Sequence, residues 1–329
     1  MKNLALLALA AVAIVGCGNS SSGDNGTTTG SGTGTTGSTT TASTEGKKFR
    51  IGLCQSNLGE PYRVQMNADI MAAAKDHPEL EVIPKDAQND SLKQRDQLEE
   101  FVQDKVDLIM ISPKEAVPLT APVEKAMDAG IPVIVIDRPI TSDKYTCFIG
   151  ADNKKIGVAL GKWLKAKLKP GAQIVELEGL MTTPVAQDRH NGFLEGMKGT
   201  DAKTLATVEM KFLEPEARKE MDSILARFPH IDAVYAHNDP GAHGAYLAAK
   251  AVGREKEMMF VGIDALPNEG VKYVEQGIEA ASFQYPTGGK EAIETALKIL
   301  KKEPFDKKIT LESKYFTPEN VKSGGELVK

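Results

Sequence analysis

The sequence predicts an α/β protein made of two doubly wound, Rossmann-like lobes, and three observations carry that prediction. From Phe49 onward, short β-branched runs alternate with amphipathic helical stretches, and strict alternation gives parallel sheets covered by helices on both faces. The strands are too many for one core, and the roughly 280 residues that follow the N-terminal region suit two domains better than one. Each apolar strand also ends on polar or charged residues, where a doubly wound sheet places its ligands.

The elements follow in order. The first half reads as strand FRIGLCQ, helix Tyr62 to Asp76, strand LEVIPKDA, helix Ser91 to Lys105, strand VDLIMIS, a helix near Leu119 to Ala129, then strands PVIVID and YTCFIGA. The second half opens with a helix from Asn153 to Leu168, whose Ile156, Ala159, Leu160, Trp163, Leu164 and Leu168 form one stripe, the period of a helix laid on a sheet. Strand QIVELEG, helix Ala186 to Met197, strand TVEMKF, helix Glu216 to Phe228, strand IDAVYAH, helix Pro240 to Val252 and strands MMFVGID and IEAASFQ complete it.

Ahead of these elements, Lys2 is followed by an apolar run from Leu4 to Val15 and then by Gly16 and Cys17. A membrane-spanning helix needs roughly 20 apolar residues, so the run is expected to be the core of a signal peptide covering 1–17. It resembles a bacterial lipobox, which implies that Cys17 is lipidated and anchors the protein to a membrane surface. Residues 18–48 are almost all Gly, Ser and Thr up to Gly46, a composition that buries no core. As a flexible tether their reach is on the order of 30 Å.

The formal net charge of −5 comes without a basic stripe, which argues against nucleic acid as a partner, because phosphate affinity needs clustered Lys and Arg. Of the three cysteines, Cys54 and Cys147 lie in apolar strand runs. They are read as buried free thiols or, in an oxidising compartment, as a disulfide. No GxGxxG follows the first strand, and neither GxxxxGK[ST] nor GxSxG occurs, so nucleotide and hydrolase chemistry lose their usual signatures. His190, His237 and His243 have no metal-ligand spacing. No enzyme, cofactor or metal is expected.

The strand ends carry one kind of chemistry. Asp137 and Arg138 end the fourth strand, Asn238 follows IDAVYAH, Asp264 ends MMFVGID and Gln284 ends IEAASFQ. Glu60, Tyr62 and Arg63 follow the first strand, Ser112 ends the third, Arg189 lies early in its helix, and Phe212 ends TVEMKF. Sugar hydroxyls both donate and accept, so they are held by carboxylates, amides and guanidinium forks that converge from several strands. Aromatic rings such as Tyr62 and Phe212 cover the apolar faces of a sugar ring. Taken singly, each residue has a plainer reading: Asp137 as a turn cap, Asn238 as a helix cap, Phe212 as core.

PVIVIDRP, IVELEGLMTTPVAQDRHNGF, AVYAHNDPGAHGA and FVGIDALPNEG, in this order and spacing, resemble the ribose-binding-protein branch of the periplasmic sugar-binding proteins. The resemblance implies a type I fold whose two lobes are joined by a three-crossover hinge near Asp152, Gln284 and Leu311. One lobe is then 49–151 plus 285–311, and the other 152–284 plus 312–329. It also implies that Asp137, Arg138, Arg189, Phe212, Asn238, Asp264 and Gln284 contact the ligand. The first loop departs from ribose binders, which have an Asn and two Phe around the shared proline where this chain has Glu60, Tyr62 and Arg63. Ser112 stands where an Asn ends the third strand. A hexose, furanose or polyol therefore fits as well as ribose, and Glu60 and Arg63 either contact it or pair with each other at the rim.

The resemblance implies an extracytoplasmic, monomeric carrier that closes on a monosaccharide or polyol and delivers it to an ABC permease with its cytoplasmic ATPase. A binding protein that signals to a membrane receptor is the alternative. Sugar-responsive repressors share the two-lobed core but place a helix-turn-helix ahead of it, where this chain has the signal segment and tether.

Overall fold

In a computed structural model, residues 48–329 are described; the expected signal segment, Cys17 and the tether up to residue 47 lie outside the described residues. The chain runs β1 (Phe49–Gln55), α1 (Pro61–Ala74), β2 (Leu80–Asp86), α2 (Ser91–Gln103), β3 (Leu108–Ile111), α3 (Ala116–Asp128), β4 (Val133–Ile136) and β5 (Cys147–Ala151). It continues with α4 (Asn153–Lys167), β6 (Gln173–Glu178), α5 (Pro184–Gly196), β7 (Lys203–Glu209), α6 (Glu214–Arg227), β8 (Ala233–Ala236) and α7 (Asp239–Ala251). The last part holds β9 (Met259–Asp264), α8 (Gly270–Glu275), β10 (Ala281–Gln284), α9 (Gly289–Leu300), β11 (Lys308–Leu311), β12 (Lys314–Phe316) and β13 (Glu326–Leu327).

These strands form two sheets, one in the order β2-β1-β3-β4-β5-β11 and one in the order β7-β6-β8-β9-β10-β12-β13. The first is parallel throughout. The second is parallel except for β12 and β13, which pair antiparallel. In each sheet the chain reverses direction across the neighbours of its first strand, β1/β3 and β6/β8, which are the switch points where doubly wound sheets bind ligands. Alternate residues of a strand feed opposite faces. Ile134 and Ile136 of β4 join one apolar cluster, while Val133 and Val135 join another; β6 divides Ile174 from Val175 and Leu177 in the same way.

Helix α4 meets α5 backbone to backbone. A Cβ placed on Gly157 would stand 2.6 Å from the Arg189 carbonyl oxygen, and one on Gly161 would stand 2.6 Å from that of Phe193. Only glycine allows this approach, and the approach fixes the height of Arg189 over the second sheet.

Three expectations need correction. β7 spans 203–209 rather than 207–212, so Phe212 lies in the turn beyond it with φ +65°; β7 is an edge strand with a largely exposed face, and the apolar pattern did not mark it. β10 starts at Ala281 because Ile278 and Glu279 turn back to donate to the Tyr273 carbonyl. The second sheet is not purely parallel, since β12 and β13 are short and mostly exposed and carry no legible periodicity. Cys54 and Cys147 are both buried and free.

Candidate ligand-binding site

One small cavity lies between the carboxyl ends of the two sheets. Glu60, Tyr62, Arg63, Asp137 and Arg138 line it from the first sheet, and Val185, Arg189, Phe212, Asn238 and Asp264 from the second. Its free volume is about 20 Å³, room for about one water, because three arginine side chains reach into it.

On the first-sheet side, a tight loop aims the side chains. Asn57 Oδ1 accepts the N–H groups of Gly59 and Glu60, both at 3.0 Å, and its Nδ2 donates to Glu60 Oε1 at 2.6 Å. Pro61 then starts α1, the position where its missing N–H costs nothing. This delivers Arg63, 2% exposed, to Asp137: its Nη1 donates to Asp137 Oδ2 at 2.5 Å and to Ser112 Oγ at 2.6 Å. Ser112 Oγ donates to the same carboxylate oxygen at 3.2 Å, so Ser112 braces the pair from behind instead of lining the cavity. Glu60 Oε2 is 3.8 Å from Arg63 Nε. The rim pairing of Glu60 with Arg63 is thus a minor contact, because the arginine is buried and its main partner is Asp137. Arg138 Nη1 donates to the Lys114 carbonyl at 2.9 Å. The buried Nε atoms of Arg63 and Arg138 have no hydrogen-bond partner among the described residues.

On the second-sheet side, Arg189 Nε donates to Asn153 Oδ1 at 2.9 Å, and its Nη1 donates to the His237 carbonyl. Its Nη2 is 3.6 Å from Asp264 Oδ1. The guanidinium groups of Arg138 and Arg189 lie 5.5 and 5.8 Å from the centre of the Phe212 ring, within cation–π range. Asn238 does cap α7, its Oδ1 accepting the Gly241 N–H at 3.0 Å, while its Nδ2 donates to the Phe212 carbonyl at 3.0 Å. It therefore pins Phe212 in its turn as well as facing the cavity.

Asp137, Phe212 and Asp264 all have positive φ, at +66°, +65° and +122°. Such backbone costs on the order of 1–3 kcal/mol per residue and concentrates at functional positions. Asp137 is held there by its N–H bond to the Ile149 carbonyl at 2.8 Å.

The two carboxylates have opposite electrostatics. Burial alone would raise the Asp137 carboxyl, but Arg63, then Arg138 and Arg189, outweigh it and hold the group below 3.8. Burial lifts Asp264 well above 3.8; Arg189 opposes the rise, and Asp239 and Asp137 add to it.

Gln284 is placed apart from this cavity. It opens onto a larger groove of about 700 Å³ beside α1 and α9. Sequence reasoning missed Val185, Asn153 and Tyr285. Tyr285 lies under the Arg189 guanidinium at 5.2 Å, donates to the Asp137 carbonyl at 3.2 Å and meets Tyr62 edge-on at 5.7 Å. It is one residue beyond the strand end that was singled out, so the strand-end rule stopped one position short.

Two doubly wound sheets that converge arginines, carboxylates and aromatic rings on one cavity define a two-lobed, type I ligand-binding protein. The chain belongs to the periplasmic binding protein domain family, whose model matches residues 51–304. That family binds substrates and does not transform them, and its location is extracytoplasmic. Among the described residues no helix is long and apolar enough to cross a membrane. The ribose import binding protein of Bacillus subtilis is 32% identical over 272 residues, covering 82% of this chain and 88% of that one. Among solved structures, the fructose-binding periplasmic domain of a hybrid two-component system is 42% identical with a TM-score of 0.80, covering 84% of this chain and 92% of that one. A Bacillus halodurans ABC transporter solute-binding protein with bound myo-inositol is 28% identical with a TM-score of 0.80, covering 84% and 97%.

Proposed function

We propose that this chain captures a monosaccharide or related polyol in the cavity between the sheets and delivers it to an ABC importer. The observation that carries the reading is the convergence of Arg63, Asp137 and Arg138 with Arg189, Phe212 and Asp264 on one cavity, with two buried guanidinium nitrogens left for a ligand to engage. Hydroxyl groups match such a mix of fixed donors and acceptors. Fructose heads the candidates because a domain 42% identical to this chain binds it; ribose and myo-inositol follow from the other relatives.

The cavity is too narrow for a monosaccharide as it stands, so entry requires the two sides to part. In this reading the lobes are 49–151 plus 285–311 and 152–284 plus 312–329. The crossovers near Asp152, Gln284 and Leu311 act as the hinge, and a ligand that touches both sides shifts the equilibrium toward closure. A lipid on Cys17 would hold the carrier at the membrane, and substitution of Cys17 by Ser is expected to release it from the membrane fraction.

The test is a thermal-shift series on the full chain with fructose, ribose, myo-inositol and amino acids. A ligand at 100 times its Kd adds about 2.7 kcal/mol to the folded state. A selective rise with one sugar or polyol supports the reading, and a response confined to amino acids overturns it. The relative within a two-component system favours sensing as a second reading. Sugar-dependent stimulation of ATP hydrolysis by a permease–ATPase in proteoliposomes decides for import.

A further inference from the structure

Behind Arg189, on the face of the second sheet that α5 covers, lies a cluster that sugar binding does not use. Glu176 and Glu178 are two residues apart on β6 and so point to the same face. His190 descends on them from α5, and His237 reaches Glu176 from the end of β8. His237 Nε2 is 3.1 Å from Glu176 Oε1. The His237 ring is fully buried. Its Nδ1 has no partner among the described residues. A proton there would be buried unpaired, so the stable tautomer donates from Nε2 to Glu176.

The remaining contacts do not balance on protons. His190 Nδ1 lies 3.0 and 3.1 Å from the two oxygens of Glu176 and 3.1 Å from Glu178 Oε1. Three carboxylate oxygens thus crowd a nitrogen that carries at most one proton.

We propose that Glu176, Glu178 and His190 form a binding site for a divalent first-row transition-metal ion, zinc being the representative, with His237 orienting Glu176 through its hydrogen bond. The three residues offer ligand atoms within 4.8 Å of one another. Zinc bonds of about 2.0–2.1 Å to N and O in a tetrahedron separate the ligands by about 3.3 Å, so the observed 3.0–3.1 Å spacings need to widen by only a few tenths of an ångström. An oxygen and imidazole set without sulfur suits zinc, manganese or iron rather than copper(I). Exposure grades from 1% at Glu176 through 13% at Glu178 to 25% at His190, which gives an ion a path in from solvent. A histidine hydrogen bond to a ligating carboxylate is a common outer-shell support for a metal.

The proposal stands independently of the sugar. Its test is titration of the chelator-treated full chain with Co²⁺ and then Zn²⁺, followed by visible absorption. The expected result is one equivalent of Co²⁺ giving d–d bands without a thiolate charge-transfer band, displaced by zinc. Glu178→Gln and His190→Gln are each expected to weaken binding at least tenfold, and His237→Gln by about 10- to 100-fold. Absence of the bands in the native chain overturns the site. So does unchanged affinity in the near-isosteric Glu178→Gln variant, because the ion would then sit elsewhere.

Discussion

The two sides of the cavity solve the same problem differently. The first-sheet side is a charge network in which Arg63 Nη1, Ser112 and Asp137 hydrogen-bond one another and the carboxylate is held ionised. The second-sheet side positions Arg189 through an amide and a main-chain carbonyl, and its carboxyl group, Asp264, is pushed toward the protonated form. Two aspartates at strand ends thus take opposite characters from their surroundings: Asp137 is a charged acceptor, while Asp264 can donate. A ligand hydroxyl that bridges the sides would meet one of each.

The largest expected effect is on the charged side. Asp137→Asn leaves Arg63 buried without its counter-charge, and breaking a buried pair costs about 3–5 kcal/mol. Chemical denaturation should show that loss, and calorimetry should show at least a hundredfold weaker ligand binding. Retained affinity would remove Asp137 from the site. Next is the backbone device on the other side. Gly157→Ala drives a methyl group into the Arg189 carbonyl, with contacts of 2.6 Å to that oxygen and 3.0 Å to Phe193 N. Overpacking of this kind costs about 1–3 kcal/mol. Because α5 carries Arg189, ligand affinity should fall along with stability; a loss of stability with unchanged affinity would mean that the helix contact does not set the arginine.

The same division explains what could be read from sequence. Strand–helix alternation and the polar strand ends revealed the two sheets and most cavity residues, because buried parallel strands are continuous apolar runs that stop at the site. Phe212 was found by its residue type but assigned to the wrong element, since an edge strand has no two-sided burial to mark it. Pairings were not legible: Arg63 sits beside Glu60 in sequence, yet its partner is Asp137, 74 residues away. Asn153 and Tyr285 were missed for the same reason, as both act by meeting Arg189 or Asp137 across the fold. The tight α4–α5 contact had a signal in the glycines at 157, 161, 192 and 196, spaced four apart on both helices, which went unread because helix packing against a sheet does not require them.

The third prediction separates the carboxylates by pH. Asp137, with its folded pKa below 3.8, contributes stability that is present above about pH 4 and lost as the pH falls through that lower value. Asp264 has the opposite sign: its folded pKa is raised, so the folded state holds a proton that the unfolded state releases, and stability decreases as pH rises above 3.8. Asp239, raised to about 7, and Glu269, also raised to about 7, act in the same direction. Each such group contributes a slope of up to about 1.4 kcal/mol per pH unit. Denaturation at pH 7, 5, 4 and about 2.5 should therefore show stability increasing on acidification to about pH 4, then falling below about pH 3.8. A curve that falls steadily from pH 7 would rule out the raised groups.

The smallest expected effect tests the comparison most directly. Asp264→Asn replaces a carboxyl by an amide of the same shape that cannot ionise. If Asp264 is protonated in the folded protein, the amide reproduces its neutral surroundings, and stability at pH 7 should change by less than about 1 kcal/mol. The Asp264 share of the pH slope should disappear, and ligand affinity should stay within about tenfold. If instead Asp264 is an ionised partner of Arg189 at 3.6 Å, the same change uncovers a buried guanidinium and costs about 3–5 kcal/mol. The result would then match Asp137→Asn. Calorimetry of the two asparagine variants side by side thus decides whether the cavity has one charged side or two.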